Sequence, residues 1–272
     1  MTRKRINRQL VADTYNEVGK IIPTAQKLGI SEKSVRNILK ELGVKTTPRN
    51  QRNRRYRIDD EFFEKIDTQE KAYVLGFIWG DGSIVRRKSN TQLRIEISTR
   101  DKCILENIRL MMKSTHPIVD RERVRKGSAV FSSILAIGRK KIVNDLVKLG
   151  FEENKNEHLC FPQIDKKYNS SFILGLSDSD GSVGVDKENR AIWTLISTDD
   201  ICNHVKSILL DNEIVSRIVP TKYNNLSRVT ITRKSEIIKL RQFLYESISC
   251  CLGRKKDLFF QVHYKKGGAE HG

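Results

Sequence analysis

The chain has 272 residues, of which 38% are apolar and 31% charged, a balance that points to a globular protein with a real core rather than a disordered chain. Its longest mostly apolar run, residues 72–80, falls far short of the ~20 residues that cross a membrane, and the opening MTRKRINRQL is charged with no apolar stretch, so neither membrane insertion nor secretion is expected. Lys and Arg number 51 against 33 Asp and Glu, net +18, and residues 1–58 alone hold 15 basic and 4 acidic side chains, which points to a polyanionic partner, nucleic acid first. The five cysteines, Cys103, Cys160, Cys202, Cys250 and Cys251, form no C-x-x-C pair, so no zinc or disulfide framework is expected and a reducing, cytoplasmic setting is the simpler reading.

The first fifty residues read as helices. Leu10, Val11, Tyr15 and Val18 recur at helical spacing. Ala25 permits close helix packing, Gly29 supplies a turn suited to positive φ, and Ser31 is a candidate N-cap. Val35, Ile38 and Leu39 then form a buried stripe, leaving Ser34, Arg36, Asn37 and Lys40 outward. This pattern resembles a helix-turn-helix with residues 31–42 as recognition helix, and implies DNA contact by those four side chains. A helix-turn-helix domain is expected over 1–44 and an Arg-rich linker over 45–67.

The remainder contains an internal repeat. YVLGFIWGDGS (73–83) lies 99 residues before FILGLSDSDGS (172–182), and 12 of the 31 positions 73–103 are identical at that offset. The offset pairs Ile97-Ser98-Thr99 with Ile196-Ser197-Thr198 and Cys103 with Cys202, which predicts equivalent packing for the two cysteines. Each half carries the same order of signals: an apolar helix, two strands (83–88 with 92–98; 182–187 with 191–197), a helix (101–113; 200–210), two more strands (117–125 with 128–137; 214–223 with 226–232) and a helix (138–149; 234–248). The expected fold class is α+β, a duplicated αββαββα arrangement over 68–164 and 165–264 with pseudo-two-fold symmetry and a frayed tail over 265–272, preceded by the small all-α domain.

In the repeated helices, Gly76 and Gly80, like Gly175 and Ser179, are four apart, a spacing that lets two backbones approach. Gly82 and Gly181 are expected to end the helices in the left-handed conformation. Asp81 and Asp180 stand just before each end. A carboxylate there opposes the helix dipole, and two meeting at an axis repel. A divalent cation between them removes both penalties, and a hard oxygen site with retained water favours Mg²⁺. Metal-bridged acids in a basic protein suggest phosphodiester hydrolysis.

VLGFIWGDG (74–82) and ILGLSDSDG (173–181) resemble the two LAGLIDADG motifs of single-chain homing endonucleases, over about residues 68–262. The resemblance implies that Asp81 and Asp180 are metal-binding catalytic acids, that the Gly80 and Ser179 carbonyls are backbone metal ligands, and that Mg²⁺ (or Mn²⁺) is the cofactor. It implies active-site lysines at Lys155 and at Lys255 or Lys256. Trp79 stands where the second motif has Asp178, a position the family varies, and implies unequal environments for the two strand cuts. The resemblance further implies a strand surface lying in successive major grooves. With Leu93, Ile95 and Ile97 inward, Gln92, Arg94 and Glu96 would face DNA, with Arg86 and Lys88 as neighbours. Arg121, Arg123 and Arg125 alternate on a later strand; Arg228, Thr230 and Thr232 alternate with Val229 and Ile231, whereas Trp193 does not suit an outward face.

The expected function is a metal-dependent, site-specific endonuclease of a mobile element, intron-borne or free-standing, acting as a monomer on a long asymmetric duplex site. Two rivals share the scaffold: a DNA-binding regulator that has lost cleavage, against which both retained aspartates argue, and an RNA-splicing maturase, against which the helix-turn-helix argues.

Overall fold

A computed structural model describes residues 7–46, 55–87, 90–125, 127–152, 159–185, 190–246 and 250–261. The chain divides into two compact units, Met1–Tyr56 and Arg57–Gly272.

The smaller unit holds α1 (Arg8–Val18), α2 (Ile21–Leu28) and α3 (Glu32–Glu41). Asn7 caps α1 by accepting from the Gln9 and Leu10 amides, and Ser31 caps α3 by accepting from the Ser34 amide. Gly19 and Gly29 end the first two helices at φ 71° and 63°, where a side chain would be strained. Val35, Ile38 and Leu39 pack against Val11, Tyr15, Ile21 and Ala25. Arg36, Asn37 and Lys40 are exposed; Ser34 is half-buried, and its hydroxyl lies 2.9 Å from that of Ser31.

The larger unit is an α+β duplication. Its first half runs α4 (Gln69–Asp81), β1 (Gly82–Arg87), β2 (Asn90–Ser98), α5 (Lys102–Met111), β3 (Ile118–Arg125), β4 (Ser128–Ile137) and α6 (Lys140–Lys148). The second runs α7 (Asn169–Asp180), β5 (Gly181–Val185), β6 (Ala191–Thr198), α8 (Asp199–Asp211), β7 (Arg217–Pro220), β8 (Leu226–Ile231) and α9 (Lys234–Tyr245), and a further helix, α10 (Gly253–Gln261), follows. Each half forms a four-stranded antiparallel sheet, in the orders β1-β2-β4-β3 and β5-β6-β8-β7. One apolar core, including Phe77, Trp79, Phe172 and Trp193, lies beneath both. No helix of the described residues is long and apolar enough to cross a membrane.

At the centre, α4 and α7 pack with almost no side-chain spacing. A Cβ on Gly76 would overlap the Phe172 carbonyl oxygen, and one on Gly175 would overlap that of Tyr73. Phe172 and Gly175 are the counterparts of Tyr73 and Gly76 in the repeat, so the contact is self-complementary, as a two-fold axis requires.

Several expectations are corrected. Gly82 and Gly181 are extended (φ −77° and −84°), not left-handed; each helix passes straight into a strand. Glycine is needed there because a Cβ would stand 2.5 Å from the Ile78 or Ser177 carbonyl oxygen. Residues 57–67, expected as linker, fold onto the larger unit: Phe62 and Phe63 are buried, and Glu64 pairs with Lys141 at 2.6 Å. The last expected helix, 234–248, stops at Tyr245.

The repeat also slips by one residue after the motif. Gly82 pairs with Ile95, but Gly181 pairs with Leu195, so the strands align at an offset of 100 rather than 99. Because side chains alternate along a strand, one residue reverses the face. Ile97 is therefore buried while Ile196 is exposed. Nor are the cysteines equivalent: Cys202 is buried and Cys103 exposed.

Gly175→Ala is expected to destabilise the larger unit by about 3 kcal/mol or more, because backbone cannot yield to a methyl as a side chain can. Gly184→Ala, which meets nothing within 4 Å, should stay within about 1 kcal/mol of wild type. Urea denaturation of both variants checks the contrast.

Candidate functional site

The packing of α4 on α7 brings their last residues together. A Cβ built on Gly80 would overlap the Ser179 hydroxyl and stand 3.1 Å from the Asp180 carboxyl carbon. The two motif ends therefore abut, with Asp81 half-exposed and Asp180 exposed. A recess opens on each side. One is lined by Trp79, Gly80, Leu159, Asp180, Ile196 and Thr198. The other is lined by residues including Asp81, Glu96, Asp101, Ser179, Arg254 and Lys255.

Lys255 is the buried cation of the second recess. Its Nζ donates to the Ser177, Asp178 and Gly181 carbonyls at 2.8, 2.6 and 2.6 Å. The Ser177 carbonyl also accepts the Gly181 amide, and the Asp178 and Gly181 carbonyls flank the end of α7, so the ammonium caps the helix and opposes its negative end. Burial holds the ammonium below the usual lysine range, while the charge of Asp178 works against that shift. Lys256 points elsewhere, its Nζ 5.5 Å from the Tyr245 ring centre. Lys155 lies outside the described residues.

Asp178 is spent on structure. Its Oδ2 accepts from the Tyr73 hydroxyl and the Leu252 amide, both at 2.7 Å. Burial pushes its carboxyl up to about 6, against the pull of those two hydrogen bonds. Trp79, its counterpart, is equally buried, and its Nε1 donates to the Cys160 carbonyl at 3.0 Å.

The two exit segments cross between halves. Phe161, leaving the first half, donates its amide to Asp200 of the second at 2.8 Å. Arg254, leaving the second, makes a two-point contact with Asp101 of the first at 3.1 and 2.9 Å. Arg254 thereby holds Asp101 below the usual carboxylate range, against its desolvation by burial. Asp101 and Asp200 are one repeat apart, at the offset of 99, but a partner 153 residues away leaves no local signal in the sequence.

Strand register sorts the remaining candidates. Leu93, Ile95 and Ile97 are buried, and Gln92, Arg94 and Glu96 take the opposite face of β2. Arg121 and Arg123 share that outward face through Ser132 and Val130. Glu96 gathers Arg94 at 2.6 Å, Arg123 at 3.1 Å and the Ser132 hydroxyl at 2.7 Å. Its burial would raise its carboxyl pKa, but the Ser132 hydrogen bond and the two guanidiniums prevail and lower it. Arg86 is corrected: it pairs with Thr91, which puts it on the face of Ile84 and Leu93, not beside Arg94. Lys88 and the Arg125 side chain lie outside the described residues. In the second half, Arg228 and Thr230 are outward between buried Val229 and Ile231, while Thr232 lies exposed beyond the strand. Trp193 faces the core, donating to the Ser177 hydroxyl at 2.8 Å, which removes the difficulty its sequence position posed.

Residues 68–148 and 167–244, more than half of the chain, match the family model for a LAGLIDADG-like domain. The chain belongs to the LAGLIDADG-like family. Among solved structures it is similar to the homing endonuclease I-WcaI bound to its DNA recognition sequence, at 15% identity over 72% of this chain and 90% of that one, TM-score 0.53. The meganuclease I-AabMI bound to uncleaved DNA matches at 14% identity over 70% and 88%, TM-score 0.45. The N-terminal LAGLIDADG domain of DUF199/WhiA matches at 16% identity over 69% and 89%, TM-score 0.44. No curated protein matches the sequence. The family match begins at residue 68, so the N-terminal helical unit stands outside it.

In this LAGLIDADG-like chain the donor set suits a hard divalent cation. Asp81 and Asp180 supply anionic oxygen at abutting helix ends, where backbone carbonyls also collect. Among the described residues no group of three or more His, Cys, Asp or Glu side chains is placed to hold a metal ion. A cation here would draw on the two carboxylates, the Gly80 and Ser179 carbonyls and water. Asp178, with Oδ2 already accepting twice, belongs to the scaffold.

Lys255→Met is expected to cost about 3 kcal/mol of stability, because it removes the one ammonium shared by the Ser177, Asp178 and Gly181 carbonyls. Lys256→Met removes only a cation–π contact and should cost about 1 kcal/mol or less. Thermal and urea unfolding of the two variants separates the buried lysine from its neighbour.

Proposed function

We propose that the chain is a site-specific, metal-dependent double-stranded DNA endonuclease of the homing type, serving a mobile element. The observation that carries this reading is the pair Asp81 and Asp180: two carboxylates brought together at abutting helix C-termini, where dipole and mutual repulsion disfavour both and the charge of Lys255 attracts both. Mg²⁺ or Mn²⁺ held by Asp81 and Asp180 would supply a water of lowered pKa and positive charge for the leaving oxygen.

The chain's own groups do the rest. Asp81 and Asp180 hold the cation, with the Gly80 and Ser179 carbonyls beside them. Lys255 fixes the end of α7, and so the position of Asp180, and adds positive charge to the recess that receives a phosphate. The outward sheet faces, with Arg94, Arg121 and Arg123 on one and Arg228 on the other, meet the major groove on either side of the cut. The helical unit extends the contact through Asn37 and Lys40 of α3. Arg36 contributes more weakly, since Glu32 already pairs with it at 2.9 Å. Duplicated but unequal halves suit a long asymmetric site read by a monomer.

The test is incubation with duplex DNA spanning the uninterrupted form of the gene's own insertion locus, with Mg²⁺ or with EDTA. Cleavage at one position with Mg²⁺, absent with EDTA and reduced at least about 10³-fold in Asp81→Asn and Asp180→Asn, is the expected result. Binding without cleavage, unchanged in the variants, would make the chain a regulator; preference for intron RNA over duplex DNA would make it a maturase.

The double change Asn37→Ala, Lys40→Ala is expected to weaken duplex affinity about tenfold or more while leaving the cut position unchanged. Gel-shift titration beside a cleavage map checks it.

A further inference from the structure

The one-residue slip gives the two halves chemically different outward faces. Counting from the pairing partner of the first strand glycine, Gln92, Arg94 and Glu96 of β2 occupy the places that Ile192, Thr194 and Ile196 occupy on β6. The neighbouring strands agree: Glu96 pairs with Ile134 on β4, and Ile196 with Arg228 on β8. One central strand is thus polar and charged outward, and the other bears three branched side chains outward. Ile196 is 37% exposed and Val219, across from it beyond Arg228, is 47% exposed. Thr194 sits between the isoleucines, its hydroxyl 2.7 Å from that of Ser182. Arg228 and Arg217, both exposed, stand beside this methyl-bearing strip.

Resting on the DNA-binding reading above, we infer that the second half recognises a thymine-rich half-site through the C5-methyl groups of its bases. An exposed branched strip flanked by Arg228 and Arg217 fits a surface that is anionic at its edge and offers methyls at its floor. The major groove at A·T pairs is such a surface: thymine presents its methyl and one carbonyl acceptor. Isoleucine meets the methyl by apolar contact, and Thr194 adds a hydroxyl donor. Against a G·C pair the same isoleucines would strip water from amino and carbonyl groups and return no hydrogen bond. Alternate residues along a strand lie about 7 Å apart, and successive bases about 3.4 Å, so the strip meets about every second base pair. The first half carries Gln92, Arg94 and Glu96 on its central strand instead, and its outward branched side chains, Val119, Val130 and Ile134, lie on β3 and β4.

The experiment uses the full chain in EDTA, so that bound duplex stays intact. Preferred duplexes are selected from a random library, and the best is remade with deoxyuridine replacing thymidine in one half-site at a time, which deletes only the methyls. The expected result is an affinity loss of about fourfold per contacted methyl in one half-site, and a distinctly smaller loss in the other. Ile192→Ala and Ile196→Ala, both at the outward face, should erase the penalty at the sensitive half-site, while Arg94→Gln should leave it. Equal uracil sensitivity in both half-sites, or a penalty that persists in the two isoleucine variants, would overturn the inference while leaving specific DNA binding intact. A library that yields no preferred duplex would instead overturn the DNA-binding reading itself.

Discussion

Everything in the larger unit hangs on one contact, the backbone approach of α4 and α7 at Gly76 and Gly175. With carbonyl oxygens occupying the space where those Cβ atoms would be, no other residue can stand at either position without parting the helices. That approach has two consequences. It buries both helices on nearly all sides, so their apolar composition is accounted for by packing alone. It also brings the two helix ends side by side, and the last residue of each is an aspartate. The pairing of those acids is a result of how the helices cross, and any cation they hold inherits its position from two glycines a turn and more away.

The helix ends then need help. Each leaves carbonyls open, and each carries an acid where a base would be favoured. The two halves answer differently. In the second, Lys255 reaches in from beyond α9 and satisfies three carbonyls at once, while Asp178 ties down the Leu252 amide three residues before it. In the first, Trp79 takes the Asp178 position, and its indole N–H meets the Cys160 carbonyl of the exit segment. In both cases the residue two before the motif acid holds the segment leaving its own half. One does it as acceptor to an amide and the other as donor to a carbonyl. The exit segments are fastened a second time by Asp200 and Asp101 of the opposite halves. The duplication keeps the logic of the latch while exchanging its chemistry.

These details mark the limit of what the sequence carries. The motif helices, the strand pairs, their alternation and the two-fold arrangement were legible, because each depends on local period or on an identical stretch repeated. Ser31 as cap and Gly29 at positive φ were legible for the same reason. Gly82 and Gly181 were misread because two different physical demands, a left-handed backbone and the absence of a Cβ, select the same residue. The partners Tyr73–Asp178 and Asp101–Arg254 were invisible because contact across 105 and 153 residues has no periodic trace. Arg86 was misplaced because alternation identifies two faces of a strand but only pairing says which residues share one.

The slip at the second strand shows why resemblance within a chain can mislead about chemistry. Ile-Ser-Thr recurs at the offset of the motif, and identity would place both copies on the same face. The hydrogen-bond ladder places them on opposite faces, since Leu195 rather than its neighbour pairs with Gly181. One residue more between the paired positions is enough, and because the strand period is two, it changes every side chain the face presents. The core tolerates the change: Trp193 and Leu195 fill the second half as Leu93 and Ile95 fill the first. The outward surface is under no such constraint to match. A gene duplication starts with two identical faces, and point substitution diversifies them one residue at a time. A single-residue change in turn length exchanges a whole face at once, leaving the packed helices and the paired aspartates where they were. On the endonuclease reading, that separates the evolution of what is recognised from the evolution of what is cut.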